Sequence, residues 1–391
     1  MPLKVVNAPQ AFTVRLIPFM NQLSKIKIEG FRSIRSAEIE LKPLNVLIGA
    51  NGAGKSNFID FFRMLSYALK RGFQNPYLVE RGPASAILHF GAKVTPLVRA
   101  ELSFQTPAGM NIYSFSLADS TGDLLTFTRE EVQFHGSSGA SAKPPIPLIP
   151  RPSDESGLSE VWSDNDPLTS LVKMQISNCQ IYQFHDTSLH SHLRDAAPVD
   201  QNRHLMSDGG NLSAVLLALR GDSPADYAAI VRTLRLLLPW FDDFILEPQG
   251  PAQKQRVLLR WRMTGRPEYE FGPGQISDGS LRLMALVTLL LLPVEQLPNL
   301  LLIDEPELGL HPVAEQVLAG LLKNVARETQ VIVATQSATF LNFFEPQDVL
   351  VVEHELGASS FHRQNADELA SWLKRYTLGE IWNKNLMGGR P

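Results

Sequence analysis

The segment from Asn45 to Phe58 constrains this chain most, because it combines a phosphate-binding pattern with the two elements that such a loop requires. The pattern is G-x-x-x-x-G-K-[ST], and the residues that fit it are Gly49, Gly54, Lys55 and Ser56. The apolar run Val46–Ile48 before the loop is typical of a buried strand, and the run Phe58–Leu69 after it is typical of a helix. The segment therefore predicts a strand, a phosphate-binding loop and a helix.

The chemistry of such a loop explains its residue types. Glycines let the backbone turn its N–H groups towards a phosphate, and the positive end of the following helix favours an anion. We expect Lys55 to reach the β- and γ-phosphates of a nucleotide and Ser56 to offer its hydroxyl to Mg²⁺. The residues predicted to contact the nucleotide are Asn51, Gly52, Ala53, Gly54, Lys55, Ser56 and Asn57.

An acidic motif follows a second apolar run, at Asn299–Pro306. This run ends in Asp304 and Glu305, so we expect a buried parallel strand that presents both carboxylates at its C-terminal edge. Asp304 would support Mg²⁺ next to Ser56, and Glu305 would orient and deprotonate an attacking water. Together with the phosphate loop, the motif predicts a site that hydrolyses a nucleotide.

Composition limits the other classes of protein. The 391 residues are 44% hydrophobic, which is sufficient for one large or two ordinary domains with a buried core. The formal charge of −4 gives no support for charge-driven binding to DNA or to an anionic membrane, so DNA would need a local basic face. The single Cys179 fits a reducing cytoplasm, and polar residues and prolines interrupt the apolar stretch Leu281–Ile303. We therefore expect a cytoplasmic protein without a membrane segment.

Changes of pattern along the sequence predict five parts. Residues 1–22 are expected to be a disordered tail, 23–73 the first part of a nucleotide-binding head, 74–205 an antiparallel β-lobe with a mobile loop at 137–157, 206–275 a subdomain of helices and strands, and 276–391 the last part of the head. Alternation of polar and apolar residues predicts the lobe strands Ser85–Phe90, Leu97–Phe104, Asn111–Leu117 and Leu124–Glu130.

Two further predicted strands, Ser24–Gly30 and Ala37–Leu41, precede the phosphate loop. They form a sheet edge that could flank the base of a nucleotide. Arg32 in the turn between them either stacks on that base or is solvated, and the solvated arginine is the more common case.

A third motif, Ser277-Asp278-Gly279-Ser280-Leu281-Arg282, precedes the apolar helix Leu283–Leu292. Alone it predicts only a helix N-cap. Its place between the phosphate loop and Asp-Glu-Pro is similar to that in the ATP-binding-cassette class of ATPases. Together with Gly-Ala-Asn-Gly-Ala-Gly-Lys-Ser-Asn and Asp-Glu-Pro-Glu-Leu-Gly-Leu-His-Pro, it resembles the stand-alone ATPases related to RecF, SMC heads and OLD-type proteins. The resemblance covers most of Leu23–Pro391, although the β-lobe carries none of its motifs.

The resemblance implies an α/β fold, a P-loop NTPase of the ABC-ATPase head type, with an antiparallel β-lobe and a helical subdomain inserted between the nucleotide motifs. It implies ATP and Mg²⁺ as ligands, and a homodimer that closes on two ATP molecules. The residues expected to cap the γ-phosphate held by the other copy are Ser277, Gly279 and Ser280, at a helix start that favours an anion. Leu308–His311 lies where related proteins cross the dimer interface, and His311 either bonds across it or only begins a helix before Pro312.

Two glutamines complete the predicted site. Gln336, in Thr335-Gln336-Ser337 after the strand Gln330–Ala334, stands where the related proteins usually carry histidine. Glutamine can donate a hydrogen bond to the γ-phosphate but cannot carry a proton, so we predict ATP binding with slow turnover. The glutamine that contacts the metal is assigned to Gln183, with Gln175 and Gln180 as alternatives and an ordinary strand residue as the simpler interpretation.

These expectations describe an ATPase that dimerises on ATP and acts as a switch in DNA transactions or anti-phage defence, beside a separately encoded effector such as a nuclease. The alternative is an ATP-gated regulatory module that binds protein without direct nucleic-acid contact, which Gln336 and the near-neutral charge favour. The energising subunit of a membrane transporter fits less well, because the β-lobe and Asp-Glu-Pro-Glu-Leu-Gly-Leu-His-Pro resemble the RecF-like proteins.

Overall fold

The computed structural model describes residues 22–137, 144–160, 166–188 and 190–389. The predicted tail, except for its last residue, and residues 138–143 of the predicted mobile loop lie outside the described residues. The β-strands, numbered along the chain, are β1 (Gln22–Phe31), β2 (Ile34–Glu40), β3 (Leu44–Ile48), β4 (Leu97–Thr106), β5 (Gly109–Ser120), β6 (Leu124–Gly136), β7 (Ile146–Pro147), β8 (Cys179–Tyr182), β9 (Ala197–Pro198), β10 (Phe241–Ile245), β11 (Pro248–Gln249), β12 (Arg256–Val257), β13 (Arg260–Met263), β14 (Arg266–Phe271), β15 (Leu300–Asp304), β16 (Gln330–Thr335), β17 (Val349–Glu355) and β18 (Ala358–Arg363). The α-helices are α1 (Lys55–Ala68), α2 (Gln74–Arg81), α3 (Ala84–Ile87), α4 (Pro167–Ser177), α5 (Leu212–Asp222), α6 (Pro224–Leu237), α7 (Asp278–Leu290), α8 (Pro312–Val325), α9 (Ala338–Leu341), α10 (Ala366–Leu373) and α11 (Leu378–Asn383).

The central sheet has the strand order β18-β17-β3-β16-β15-β8. The strands from β17 to β8 are parallel, and β18 pairs antiparallel at the edge. Alternate residues of β3 enter two separate hydrophobic cores, Val46 and Ile48 on one face and Leu47 on the other. Packing on both faces explains why β3 and β16 are buried along their whole length. Because parallel strands end at one edge of a sheet, the loops after β3, β8, β15 and β16 meet there.

A second sheet is antiparallel, with the order β2-β1-β4-β5-β6-β7. The predicted strands at 97–104, 111–117 and 124–130 are confirmed as parts of β4, β5 and β6. This sheet packs on helix α1, where the ring of Phe61 contacts Phe31 of β1 and Phe115 of β5. Strand β1 pairs with β2 on one side and with the lobe strand β4 on the other, so β1 and β2 belong to this sheet and not to the sheet of β3.

The predicted strand Ser85–Phe90 is wrong, because its first three residues belong to helix α3. Ala84 and Ile87 are buried three residues apart, whereas Ser85 and Ala86 between them are exposed, which is helical and not strand periodicity. Only Leu88 forms a single β-bridge, to Phe31. The polar–apolar pattern was too short to separate the two structures.

The rest of the described chain covers the central sheet. Helix α7 starts at Asp278, earlier than the predicted Leu283, and every residue from Leu281 to Leu290 is buried. Residues 144–157 of the predicted loop lie along β6, since β7 pairs with β6 and Ser153 exchanges two backbone hydrogen bonds with Phe127. None of the helices in the described ranges is long and apolar enough to cross a membrane.

Candidate nucleotide site

The phosphate loop connects β3 to α1 and holds its lysine inside. Gly54 precedes the helix with a φ of 115°, and a Cβ there would collide with the hydroxyl of Ser359, so glycine is required. The Nζ of Lys55 is buried and donates to the carbonyl oxygens of Gly49 (2.6 Å) and Ala50 (3.0 Å). These bonds satisfy the ammonium group in the state described, at the place where a phosphate would replace the carbonyls.

Carboxylates from the end of β15 and the turn after it face Lys55. Burial lowers the pKa of Lys55, and the negative charges of Glu305, Asp304 and Glu307 partly offset this effect. Burial also raises the pKa of Asp304. Glu305 has a φ of 43°, which is rare for a residue with a side chain and is the kind of strain that concentrates at functional sites. Its N–H donates to the carbonyl of Ala334 on β16 (2.8 Å), which holds it in this conformation.

Each of the two acidic residues of this motif contacts one glutamine. The Nε2 of Gln336, after β16, donates to Oε1 of Glu305. The Nε2 of Gln183, after β8, donates to Oδ2 of Asp304 at 3.4 Å. The structure thus brings these four side chains to the edge of the sheet where Lys55 lies.

The position of a glutamine relative to the sheet edge separates the three alternatives for the metal contact. Gln175 is buried in α4, and Gln180 lies within β8 and bonds the carbonyl of Ser177. Gln183 comes one residue after the end of β8, which pairs in register with β15. It is therefore the only one of the three that contacts Asp304 in the described contacts.

Arg63 and its neighbours are site residues that the sequence did not reveal. The Nη2 of Arg63 donates to Oε1 of Gln183 at 2.6 Å, which fixes the amide against Asp304. Arg63 also pairs with the buried Asp60 at 3.4 Å. Asp60 in turn pairs with Arg32 (2.8 Å) and Arg81 (3.3 Å). Arg32 is thus not a solvated turn residue, because its guanidinium is held by Asp60.

Arg282, at the end of the third motif, joins three segments of the site. Its buried guanidinium donates to the carbonyls of Phe184 (2.9 Å), His185 (3.2 Å) and Leu308. The first two follow Gln183, and the last lies in the loop Leu308–His311. This arginine could be recognised in the sequence as the last residue of a motif, but its contacts with these carbonyls follow only from the packing of α7.

The turn that begins α7 faces the surface. Ser277 is exposed, and its hydroxyl oxygen accepts from the N–H of Ser280 at 3.3 Å. A Cβ on Gly279 would lie 2.7 Å from the carbonyl oxygen of Gly309, so this turn packs closely on the loop Leu308–His311. His311 is exposed and caps helix α8, since its Nδ1 accepts from the N–H of Val313 at 3.3 Å. In the single chain, His311 therefore has the helix-starting role that the sequence left as one alternative.

Glu307 is a second residue that the sequence did not single out. Its side chain is buried, and Oε1 accepts from the hydroxyl of Thr335 at 2.5 Å, which ties the acidic turn to the end of β16. Its Oε2 is buried without a hydrogen-bond partner. Burial raises the pKa of Glu307 to about 7.

This raised pKa predicts a pH-dependent stability. Between the ordinary value of 4.5 and about 7 the folded chain holds a proton that the unfolded chain releases, so the contribution of Glu307 to stability falls as pH rises. We expect the unfolding free energy of the wild type, relative to Glu307→Gln, to fall by roughly 2–3 kcal/mol from pH 5 to pH 8. Urea denaturation measures this difference, with Glu29→Gln as an exposed control. Parallel pH curves for wild type and Glu307→Gln would contradict it.

The donor set suits a hard cation bound together with a nucleotide. Ser56 is exposed beside the loop, and Asp304 and Gln183 supply oxygen atoms of the kind that Mg²⁺ prefers. Within the described residues, no group of three or more His, Cys, Asp and Glu side chains is arranged to hold a metal by itself. The residues therefore fit Mg²⁺ held jointly by protein and phosphates.

Two family models match the chain. The model described as "AAA domain, putative AbiEii toxin, Type IV TA system" matches residues 184–342, and the model described as "AAA ATPase domain" matches residues 22–89. A comparison with curated protein sequences finds no match. The two models cover the acidic strand, the third motif and the phosphate loop.

Solved structures of SMC heads share the fold. An SMC head bound to the C-winged helix domain of ScpA is 13% identical, with a TM-score of 0.59 over 90% of this chain and 99% of that chain. An Smc head with an extended coiled coil, bound to the C-terminal domain of ScpA derived from Pyrococcus furiosus, is 12% identical, with a TM-score of 0.56 over 91% of this chain and 99% of that chain. At these identities the likeness concerns the fold. Two stretches of the chain thus match models of AAA-type ATPase domains, and the chain has the fold of an SMC head.

Proposed function

We propose that this protein binds ATP with Mg²⁺ and hydrolyses it slowly. The observation that carries the proposal is the convergence of Lys55, Asp304, Glu305 and Gln336 at the ends of three adjacent parallel strands. Phosphoryl transfer to water requires a positive group that binds phosphate, a carboxylate that holds the metal and a carboxylate that activates the water.

Each residue has a role that follows from its position. Lys55 exchanges the carbonyls of Gly49 and Ala50 for phosphate oxygens, and Glu305 accepts the proton of the attacking water. Ser56, Asp304 and Gln183 would hold Mg²⁺, which would neutralise charge that develops on the phosphates. Oε1 of Gln183 accepts one hydrogen bond from Arg63 in the state described, which leaves the second lone pair of this oxygen for a metal.

Charge explains why metal and nucleotide would bind together. Lys55 is one positive group facing Asp304, Glu305 and Glu307. The carboxylates of Asp304 and Glu305, joined by Glu307 once it is deprotonated, repel the triphosphate unless a divalent cation screens them. ATP affinity should therefore depend strongly on Mg²⁺.

Slow turnover follows from Gln336. Its amide occupies an oxygen of Glu305 and cannot carry a proton. We predict that Gln336→His increases the rate of hydrolysis at saturating ATP by at least about tenfold, because general acid–base groups contribute factors of about 100 or more. Phosphate release measures the rate, and Gln347→His is the control at an exposed glutamine outside the site. An unchanged rate would refute this explanation of slow turnover.

The proposed active form is a homodimer closed on two ATP molecules. The turn Ser277–Ser280 supports this, because its first two residues are exposed and a helix start that faces the surface can meet the phosphate held by another copy. His311 and Leu308, both exposed, would lie at the same interface.

The biological role proposed is a switch in anti-phage defence or DNA transactions, with a separately encoded effector such as a nuclease. The support is the family model over residues 184–342, whose description names a type IV toxin–antitoxin system. A regulatory module that binds only protein is the second candidate, and the net charge of −4 favours it.

Nucleotide binding and hydrolysis test the proposal directly. We expect the wild type to bind ATP with Mg²⁺ and to release phosphate slowly, and Lys55→Ala to lose both activities. No ATP binding by the folded wild type would refute the proposed function. Assays with duplex DNA separate the two candidates, since strong stimulation of hydrolysis by DNA counts against a switch that acts only on protein.

A further inference from the structure

The order of the strands in the central sheet indicates which end of a bound nucleotide lies towards which strands. The groups proposed for the γ-phosphate lie after β16 and β15, on one side of β3, while β17 and β18 lie on the other side. A triphosphate seated on the loop after β3 with its γ end towards β16 therefore has its base end towards β17 and β18. This inference rests on the proposed function.

Hydrogen bonds connect the phosphate loop to the turns on that side. The Nδ2 of Asn57, in the first turn of α1, donates to the hydroxyl of Ser33 at 2.6 Å. The hydroxyl of Ser359 lies 2.7 Å from that of Ser33 and 2.6 Å from the carbonyl oxygen of Ala53. The β1–β2 turn and the start of β18 are thus fixed against the loop.

An exposed aromatic ring lies beside these turns. The N–H of His89 donates to Gly30 (2.9 Å) and the N–H of Arg32 donates to Ile87 (2.7 Å), so the segment before Phe90 is bound to the β1–β2 turn. The ring of Phe90 lies over Gly357 in the β17–β18 hairpin, where a Cβ would come within 2.5 Å of its Cζ. Phe90 is nevertheless 65% exposed.

The backbone of Phe90 has a costly conformation. Its φ is 56°, in the left-handed region that disfavours side chains, and its ring centroid is 4.4 Å from that of His89. Its neighbour Phe31 is completely buried, and Arg32 is held by Asp60. Of the rings of Phe31, His89 and Phe90, the first two are buried, so Phe90 is the one that can meet a planar ligand.

We propose that Phe90 stacks on the base of the bound nucleotide and forms one wall of the base site. Every nucleobase has a π-face, so stacking adds affinity without selecting one base. The ring contacts only the base, whereas Lys55 contacts only the phosphates. The two contributions can therefore be separated with a ligand that has no base.

The test compares ATP, GTP and inorganic tripolyphosphate as Mg²⁺ complexes binding to the full chain. We expect Phe90→Ala to bind ATP and GTP each about tenfold more weakly, with tripolyphosphate unchanged. Phe90→Trp should bind ATP within about threefold of the wild type. Val94→Ala, at an equally exposed apolar residue near Phe90, is the matched control and should change none of the three affinities. Lys55→Ala should weaken all three ligands.

Three outcomes would overturn the inference. Unchanged ATP affinity in Phe90→Ala would mean that the base binds elsewhere, such as the cavity of about 300 Å³ beside Ala50–Ala53 and Glu353. Equal weakening of ATP and tripolyphosphate would mean that Phe90 acts through the loop and not on the base. A wild type that binds none of the ligands removes the proposed function and the inference together, whereas the first two outcomes leave nucleotide binding intact.

Discussion

Glu305→Gln is expected to lower ATP hydrolysis at least about 100-fold and to leave ATP affinity within a few-fold of the wild type. The variant removes the group that accepts the proton of water. It keeps the shape of the side chain and an oxygen that can still accept from Gln336. Phosphate release and direct nucleotide binding measure the two quantities.

The control for this variant is Glu328→Gln, at an exposed glutamate after α8, which should hydrolyse ATP at the wild-type rate. If Glu305→Gln retained the wild-type rate, Glu305 would not be the base. Loss of ATP affinity in the same variant would instead assign Glu305 to binding.

Arg282→Met is expected to destabilise the fold by roughly 3 kcal/mol, because it leaves buried carbonyl oxygens without donors. The side chain of Arg282 donates to the carbonyls of Phe184, Leu308 and His185. Methionine preserves the apolar stem but none of these bonds. Urea denaturation measures the loss of unfolding free energy from the shift of the midpoint concentration and the m-value.

Two further variants make this prediction specific. Arg99→Met removes an arginine whose side chain is 60% exposed and pairs with Glu29 at 3.5 Å, so we expect a cost below about 1 kcal/mol. Arg282→Lys can donate to some of the carbonyls and should lie between the wild type and Arg282→Met. Equal stability of Arg282→Met and Arg99→Met would show that the carbonyls find other donors.

The local parts of the fold were predictable from the sequence. The strands before Gly49, Asp304 and Gln336 could be located because each is an apolar run that ends in a polar motif. Parallel pairing then brings the motifs together without further information, since the ends of such strands share an edge. The fold class followed from these three segments.

The contacts between distant segments were not predictable in the same way. Nothing local to β1 indicates that it pairs with β4, about 70 residues later. The alternation of residues in a strand shows which side chains are buried, but it does not show which strand lies beside it. The burial of Glu307 and the role of Arg63 depend on how the acidic turn and α1 pack. Phe90 was assigned to a strand from its neighbours, so its exposed ring could not be recognised.

The state of association of Glu305→Gln tests the composite site most directly. In the proposed closed form, Lys55 and Ser56 bind the nucleotide and Ser277–Ser280 of a second copy complete the site. With Mg²⁺ and ATP, sedimentation should give the mass of a dimer, and without ATP the mass of a monomer, because hydrolysis no longer opens the closed form. A variant that binds ATP and keeps the same mass in both conditions would contradict the account.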